Sequence, residues 1–230
     1  MKRVVILTGA GISAESGIKT FRDSDGLWEN HRIEDVATPE AWYRNQELVL
    51  EFYNQRRKQL YECKPNEAHY ALVELEDKFR VNIITQNVDD LHERAGSRNV
   101  LHLHGELKKA RSTVDESIIV DIPSWELKKG MLCPKGSQLR PHIVWFGEAV
   151  PNIESATEIT SEADIFIVIG TSMNVYPAAS IIHYTSKQCV KFLIDPKEIS
   201  NLGYNNITFI QDNATTGVRK VVNQLLRETV

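Results

Sequence analysis

Three cysteines in 230 residues, Cys63, Cys133 and Cys189, are too few and too scattered for a disulfide scaffold. An odd number of separated thiols fits a reducing compartment, so the expected location is the cytoplasm. No apolar run approaches the roughly 20 residues of a membrane span. Only four apolar residues, 4–7, follow Lys2 and Arg3 before Thr8-Gly9, too few for a signal-peptide core. Charge of one sign is also missing. With 27 Lys and Arg against 31 Asp and Glu, the formal net charge of −4 gives no electrostatic basis for nucleic acid or an anionic membrane as partner. Repeats and low-complexity tracts are absent. What remains is an average globular composition, 42% hydrophobic and 25% charged, enough for one domain or for one domain with a small inserted module.

The most informative stretch is Thr8-Gly9-Ala10-Gly11-Ile12-Ser13-Ala14-Glu15-Ser16-Gly17. It follows Val4-Val5-Ile6-Leu7, which reads as a buried parallel strand. The spacing Gly9, Gly11, Ala14 fits the alanine variant of the dinucleotide fingerprint. A strand running into close glycines leaves N–H groups bare at the start of a helix, where a pyrophosphate can approach. An ordinary tight turn has the same pattern. A standard dehydrogenase also needs a second strand ending in an acid about 20 residues on. Glu29, Glu34 and Asp35 lie near that distance, but no apolar strand leads into them. A loop carrying Phe21 and Arg22 and a long insertion take its place, so a different grip on the dinucleotide is favoured.

Further strands are expected at 81–85, 100–102, 143–145, 165–169, 191–194 and 207–210, with helices at 39–61, 67–78, 153–162, 178–186 and 217–227. This alternation predicts an α/β fold, a parallel sheet covered on both faces. Residues 29–80 read as helical with no strand, and 108–141 as polar and irregular. The expected division is a large Rossmann-like part, about 1–28, 81–107 and 143–230, with a small module of about 29–80 and 108–142. Ligands belong in the cleft between them.

Four clusters fall near strand ends, where open α/β sheets place their sites. Gln86-Asn87-Val88-Asp89 offers amides and a carboxylate for a carboxamide or ribose hydroxyls, with a polar N-cap as the competing reading of Asp89. In His102-Leu103-His104-Gly105, His102 reads as a structural histidine. His104, before a glycine, suits proton transfer near neutral pH. Val144-Trp145-Phe146-Gly147-Glu148 brings aromatics to a strand end, fitting a tunnel for an aliphatic chain. Gly170-Thr171-Ser172 is a second small-residue turn that could meet ribose or phosphate.

Gly-Ala-Gly-Ile-Ser, Phe-Arg, Gln-Asn-x-Asp, His-Gly, Arg-Pro-His-x-Val-Trp-Phe-Gly-Glu and Gly-Thr-Ser, in that order across nearly the whole chain, resemble the sirtuin family of NAD-dependent protein lysine deacylases. The resemblance implies that Gly9, Ala10, Gly11, Ser13, Glu15, Phe21, Arg22, Trp28, Gln86, Asn87, Asp89, Gly170, Thr171, Ser172, Asp195 and Ala214 bind NAD. It implies His104 as base, with Asn87 and Asp89 also catalytic, and Val144, Phe146, Gly147, Glu148 and Val175 against an acyl-lysine substrate. The implied products are nicotinamide and O-acyl-ADP-ribose. An ADP-ribosyltransferase or NAD glycohydrolase using the same cleft is the alternative.

Two departures matter. Where most of the family has four zinc-binding cysteines, this chain reads Ser112, Asp115, Cys133 and Gly136, so no metal is expected. Asp195 stands where an asparagine is common. The acyl group turns on a helical stripe, Val49, Tyr53, Arg56 and Leu60. An arginine in such a stripe is either snorkelling, paired with a protein carboxylate, or waiting for an anion on the substrate. With Ala37, Tyr53 and Arg56 are similar to the pocket of the subgroup that removes succinyl and malonyl groups. There the alanine widens the pocket and the Tyr–Arg pair holds the distal carboxylate.

Overall fold

The computed structural model describes residues 1–19, 27–28, 31–171, 175–197 and 206–228. β1 (Arg3–Thr8) runs into two 3-10 turns, Ala10–Ile12 and Ala14–Ser16. A short hairpin of β2 (Leu27–Trp28) and β3 (His31–Arg32) leads to α1 (Ile33–Val36), α2 (Pro39–Arg44) and α3 (Gln46–Glu62). Then come α4 (Glu67–Glu74), β4 (Arg80–Thr85), α5 (Leu91–Ala95) and β5 (Val100–His102). β6 (Gly105–Ser112), β7 (Ile119–Asp121) and β8 (Leu139–Ile143) form a separate antiparallel sheet. The chain closes with α6 (Ile153–Ser161), β9 (Ile165–Ile169), a 3-10 segment (Ala178–Tyr184), β10 (Val190–Ile194), β11 (Ile207–Ile210) and α7 (Ala214–Arg227).

The main sheet has the order β11-β10-β9-β1-β4-β5, with every pairing parallel. The chain leaves β1 outward through β4 and β5, then returns to β9 on the other side and runs outward again. The connections therefore reverse beside β1, which opens a crevice at the C-terminal ends of β1 and β9. Both central strands are near-continuous apolar runs because both faces are covered. On one face Val4, Ile6, Ile83 and Ile167 meet Leu72, Leu75, Val218 and Val221 of the α4 and α7 side. On the other, Val5, Leu7, Phe166 and Val168 meet Ala156, Ile181 and Ile182.

Four expectations require correction here. Residues 143–145 are not a strand of the parallel sheet. Instead β8 pairs antiparallel with β6 (Ala110 opposite Pro141, Ser112 opposite Leu139), and Pro141 is accommodated because β8 is an edge. The polar stretch 108–141 is correspondingly more regular than its composition suggests. The long helix expected at 39–61 is two helices. Asn45 leaves helical geometry (φ −153°, ψ 82°), and its side chain caps α3 by accepting from Leu48 N at 3.1 Å. Finally, His31 and Arg32 pair with β2 inside a segment expected to hold no strand.

A third core joins α1–α3 to the antiparallel sheet, packing Val36, Trp42, Tyr53 and Leu60 with Leu107, Ile143 and Trp145. Arg57, fully buried, pins these parts together. Its Nε donates to Leu107 O at 2.7 Å, and Nη1 to Trp125 O at 2.7 Å and Asn54 Oδ1 at 2.8 Å. Burial holds Arg57 down at about 10. Near the four positions where the family commonly binds zinc, Lys135 Nζ lies 2.6 Å from Asp115 Oδ2, and Ser112 hydrogen-bonds the Cys133 thiol, lowering its pKa. Ser137 O accepts from Cys133 N at 2.7 Å, and Cys133 O from Gly136 N at 2.8 Å.

Candidate active site

The ends of β1 and β9 interlock. Gly9 N donates to Ile169 O and Gly11 N to Gly170 O, each at 2.9 Å. A Cβ on Gly9 would sit 2.7 Å from Gly170 O, and one on Gly11 2.5 Å from Gly170 Cα. Gly170 itself is left-handed, with φ +60°. The glycines are thus required by contact between two turns. The expected helix with bare N–H groups is absent here: short 3-10 turns follow, and Ile12 N and Ser13 N are bonded to Gly9 O and Ala10 O.

Beside this junction lies a cavity of about 430 Å³. Its sheet-end wall contains Gly9, Ala10, Gly11, Glu15, Gln86, Asn87, Asp89, Gly170, Thr171, Asp195 and Ala214. His104, Ala37, Tyr53, Arg56, Val144, Phe146, Gly147, Glu148 and Val175 line the same space. Ser13 lies behind it, fully buried. Phe21, Arg22, Ser172 and the Trp28 side chain fall outside the described residues.

The polar groups have defined roles. Asn87 donates through Nδ2 to Gly9 O at 3.1 Å and Ser13 Oγ at 3.2 Å, so its Oδ1 is the atom left to accept. Asp89 accepts from Ser13 Oγ and from Leu91 N, both at 3.1 Å. Burial pushes its carboxyl above the usual range despite those bonds. His104 Nδ1 is 3.0 Å from Gln86 O. A carbonyl only accepts, so the proton is on Nδ1 and Nε2 is the basic nitrogen. Burial holds this imidazole below the ordinary 6.5, against the Gln86 hydrogen bond. His102 differs: Nδ1 meets Asn87 O at 3.0 Å and Nε2 meets Glu93 at 2.8 Å. Although burial opposes its charge, the Glu93 contact raises its pKa overall.

Two site residues are engaged within the protein. Glu15 caps α7, accepting from Thr215 N at 3.0 Å and Thr215 Oγ1 at 2.8 Å. Glu148 takes a bidentate grip from Arg140 (2.7 and 2.8 Å), with Arg111 Nη2 at 3.0 Å and Trp145 N at 2.8 Å. Sequence reasoning missed Arg111 at this site, read Trp145 only as an aromatic of the tunnel, and gave His92 no role. Arg111 sits in a Lys- and Arg-rich run that reads as a solvated face. His92 lies behind the wall, its Nε2 3.1 Å from Thr8 Oγ1. Thr8 donates to Thr85 Oγ1 at 2.8 Å, and Thr85 Oγ1 accepts from Asn87 N at 3.0 Å. Thr85, Asn87 and His92 lie within eight residues of sequence, but Thr8 joins them only through the pairing of β1 with β4.

The Sir2 family profile matches residues 9–177. An NAD-dependent protein deacylase of Helicobacter pylori (strain ATCC 700392 / 26695) is 53% identical over 228 residues, covering 98% of each chain. One from Bacteroides thetaiotaomicron is 51% identical over 231 residues, covering 98% of this chain and 99% of the other. The crystal structure of a Sir2 homologue–NAD complex superposes with a TM-score of 0.88 at 39% identity, covering 100% of this chain and 91% of that one.

Proposed function

The chain belongs to the Sir2 family and is an NAD-dependent protein deacylase; from that premise we propose that it deacylates lysine side chains and removes succinyl and malonyl as well as acetyl groups. The observation that carries this reading is one cavity lined by both His104 and the pair Tyr53 and Arg56. NAD, when bound, supplies a ribose carbon from which nicotinamide can leave. The donor set suits it. Asn87 Oδ1 can accept from a carboxamide N–H, and the buried Asp195 carboxylate, at the end of β10, can accept ribose hydroxyl protons. Gly11, Gln86 and Thr171 complete the proposed wall, with Gln86 Nε2 donating to Thr171 Oγ1 at 3.1 Å.

His104 is the proposed general base, with Nε2 taking a proton from a ribose hydroxyl. Ala37, 2% exposed, leaves room for an acyl chain longer than acetyl. The planar Arg56 guanidinium offers paired donors matched to a carboxylate. The test is mass spectrometry of acetyl-, malonyl- and succinyl-lysine peptides incubated with and without NAD. Loss of all three acyl groups, with O-acyl-ADP-ribose formed, is expected only with NAD. Free ADP-ribose with intact peptides would establish an NAD glycohydrolase instead. Acetyl loss alone would overturn the carboxylate reading.

A further inference from the structure

The substrate loop is tied to α3 by a bond between two aromatic side chains. Trp145 Nε1 lies 3.0 Å from Tyr53 Oη; Trp145 is 2% exposed and Tyr53 fully buried. An indole nitrogen only donates. The phenol oxygen is therefore the acceptor in this bond. A phenolic hydrogen prefers the ring plane, on one side or the other of the C–O bond, so a donor arriving at one side turns the hydrogen to the other.

Trp145 is itself held from several directions. Its backbone N donates to Glu148 Oε2 at 2.8 Å, and the Arg140 guanidinium carbon stacks 3.6 Å from the centre of its ring. Arg140 and Arg111 converge on the same Glu148 carboxylate. The next residue, Phe146, donates its N to Ala37 O at 3.0 Å, which joins this loop to the residue proposed to widen the acyl pocket. Burial pushes the Tyr53 phenol well above its ordinary pKa of 10, so it keeps its proton at any working pH.

We propose that Trp145 is a positioning residue for acyl selectivity: its indole N–H turns the Tyr53 hydroxyl into an oriented donor for the distal carboxylate of the substrate. The inference rests on reading Tyr53 and Arg56 as a carboxylate site. Acetyl-lysine has no distal carboxylate, so the orientation of this hydroxyl matters less to it.

The experiment is a double-mutant cycle with Trp145→Phe, Tyr53→Phe and the double variant, measuring kcat and KM for succinyl- and acetyl-lysine peptides at saturating NAD. Trp145→Phe should lower the succinyl-to-acetyl ratio of kcat/KM by roughly three- to tenfold, the range of one neutral hydrogen bond. Most of that loss should appear in the succinyl KM. In the Tyr53→Phe background the same change should move the ratio by less than about twofold, because the hydroxyl it orients is gone. Equal loss of both activities, or a double variant equal to the product of the singles, would overturn the proposal. If Trp145→Phe does not fold, 3-benzothienylalanine at position 145 keeps the bicyclic ring and removes only the N–H, and the same criteria apply. The carboxylate reading fails separately, and this inference with it, if the unaltered protein removes no succinyl group. If succinyl turnover is present and depends on Arg56 but not on Trp145, only this inference fails.

Discussion

At the residue scale, one hydrogen bond decides which nitrogen of His104 is basic. Gln86 O fixes the proton on Nδ1, and burial disfavours the imidazolium. The neutral, basic form therefore dominates at neutral pH and is lost only as pH falls below 6.5. A profile of kcat/KM against pH should place the acid limb below that value; a midpoint above it would remove His104 as the titrating base. His104→Ala should lower deacylation by at least about 10²-fold, with NAD binding retained by calorimetry. Retention within about threefold would contradict the assignment. For the acyl group, Arg56→Met should reduce the succinyl-to-acetyl ratio of kcat/KM by roughly 30-fold or more, since a charge-assisted contact in a cleft costs about 2–5 kcal/mol when one side is removed. Equal loss of both activities would make Arg56 structural.

At the element scale, α3 carries more than the single stripe its periodicity suggests. Val49, Tyr53 and Leu60 are buried as that stripe requires, but so are Leu50, Phe52, Asn54 and Arg57. The helix is enclosed on more than one face, so Arg57, one position beyond Arg56, is the arginine that bonds Leu107 O and Trp125 O. Arg57→Met would leave those buried acceptors without their donor. Loss of about 3–5 kcal/mol in urea unfolding is expected, and a loss below 1 kcal/mol would exclude this role. α4 and α5 meet through His69 and His92, whose rings stack edge-to-face with centroids 5.0 Å apart. Burial lowers His69 to about 4 and His92 well below 6.5. The unfolded chain then binds protons below 6.5 that the folded one refuses, so these two groups withdraw stability as pH falls from 6.5 towards 4. His102, raised by Glu93, acts oppositely above 6.5. Unfolding midpoints should therefore drop between about pH 6.5 and pH 4.5, and His69→Gln should flatten the slope. An unchanged slope would rule out His69 as a contributor.

At the scale of the whole molecule, the question is what holds α1–α3 and the antiparallel sheet together where the family commonly uses zinc. Cys133 is the one thiol among the four matching positions. There, Asp115 and Lys135 form an ion pair and Ser112 bonds the Cys133 thiol, while the Arg57 bonds and the core around Trp42, Tyr53 and Trp145 lie further in. No group of three or more His, Cys, Asp or Glu able to hold a metal occurs among the described residues. Chelation should leave the thermal midpoint and the deacylase activity in place, and Cys133→Ser should be tolerated. One equivalent of zinc by elemental analysis, with activity lost on its removal, would overturn that expectation.

The sequence by itself determined the parallel sheet, because β1 and β9 are covered on both faces and their apolar runs are unbroken. It also pointed to His104, Asn87 and the glycine turns, since short-range spacing ties each to a strand end. Tertiary structure alone decided what those residues touch. Why Gly9 and Gly11 must be glycine depends on Gly170, some 160 residues away, and no local pattern encodes that contact. The antiparallel sheet was hidden because β6 reads Gly-Glu-Leu-Lys-Lys-Ala-Arg-Ser, a charged run whose buried members, Arg111 included, find their partners only across the fold. Likewise, nothing local to Glu148 shows that its carboxylate is held by two arginines and the Trp145 amide. Periodicity reports which faces are apolar; the partners of buried polar groups are set by long-range packing, which a single sequence does not record.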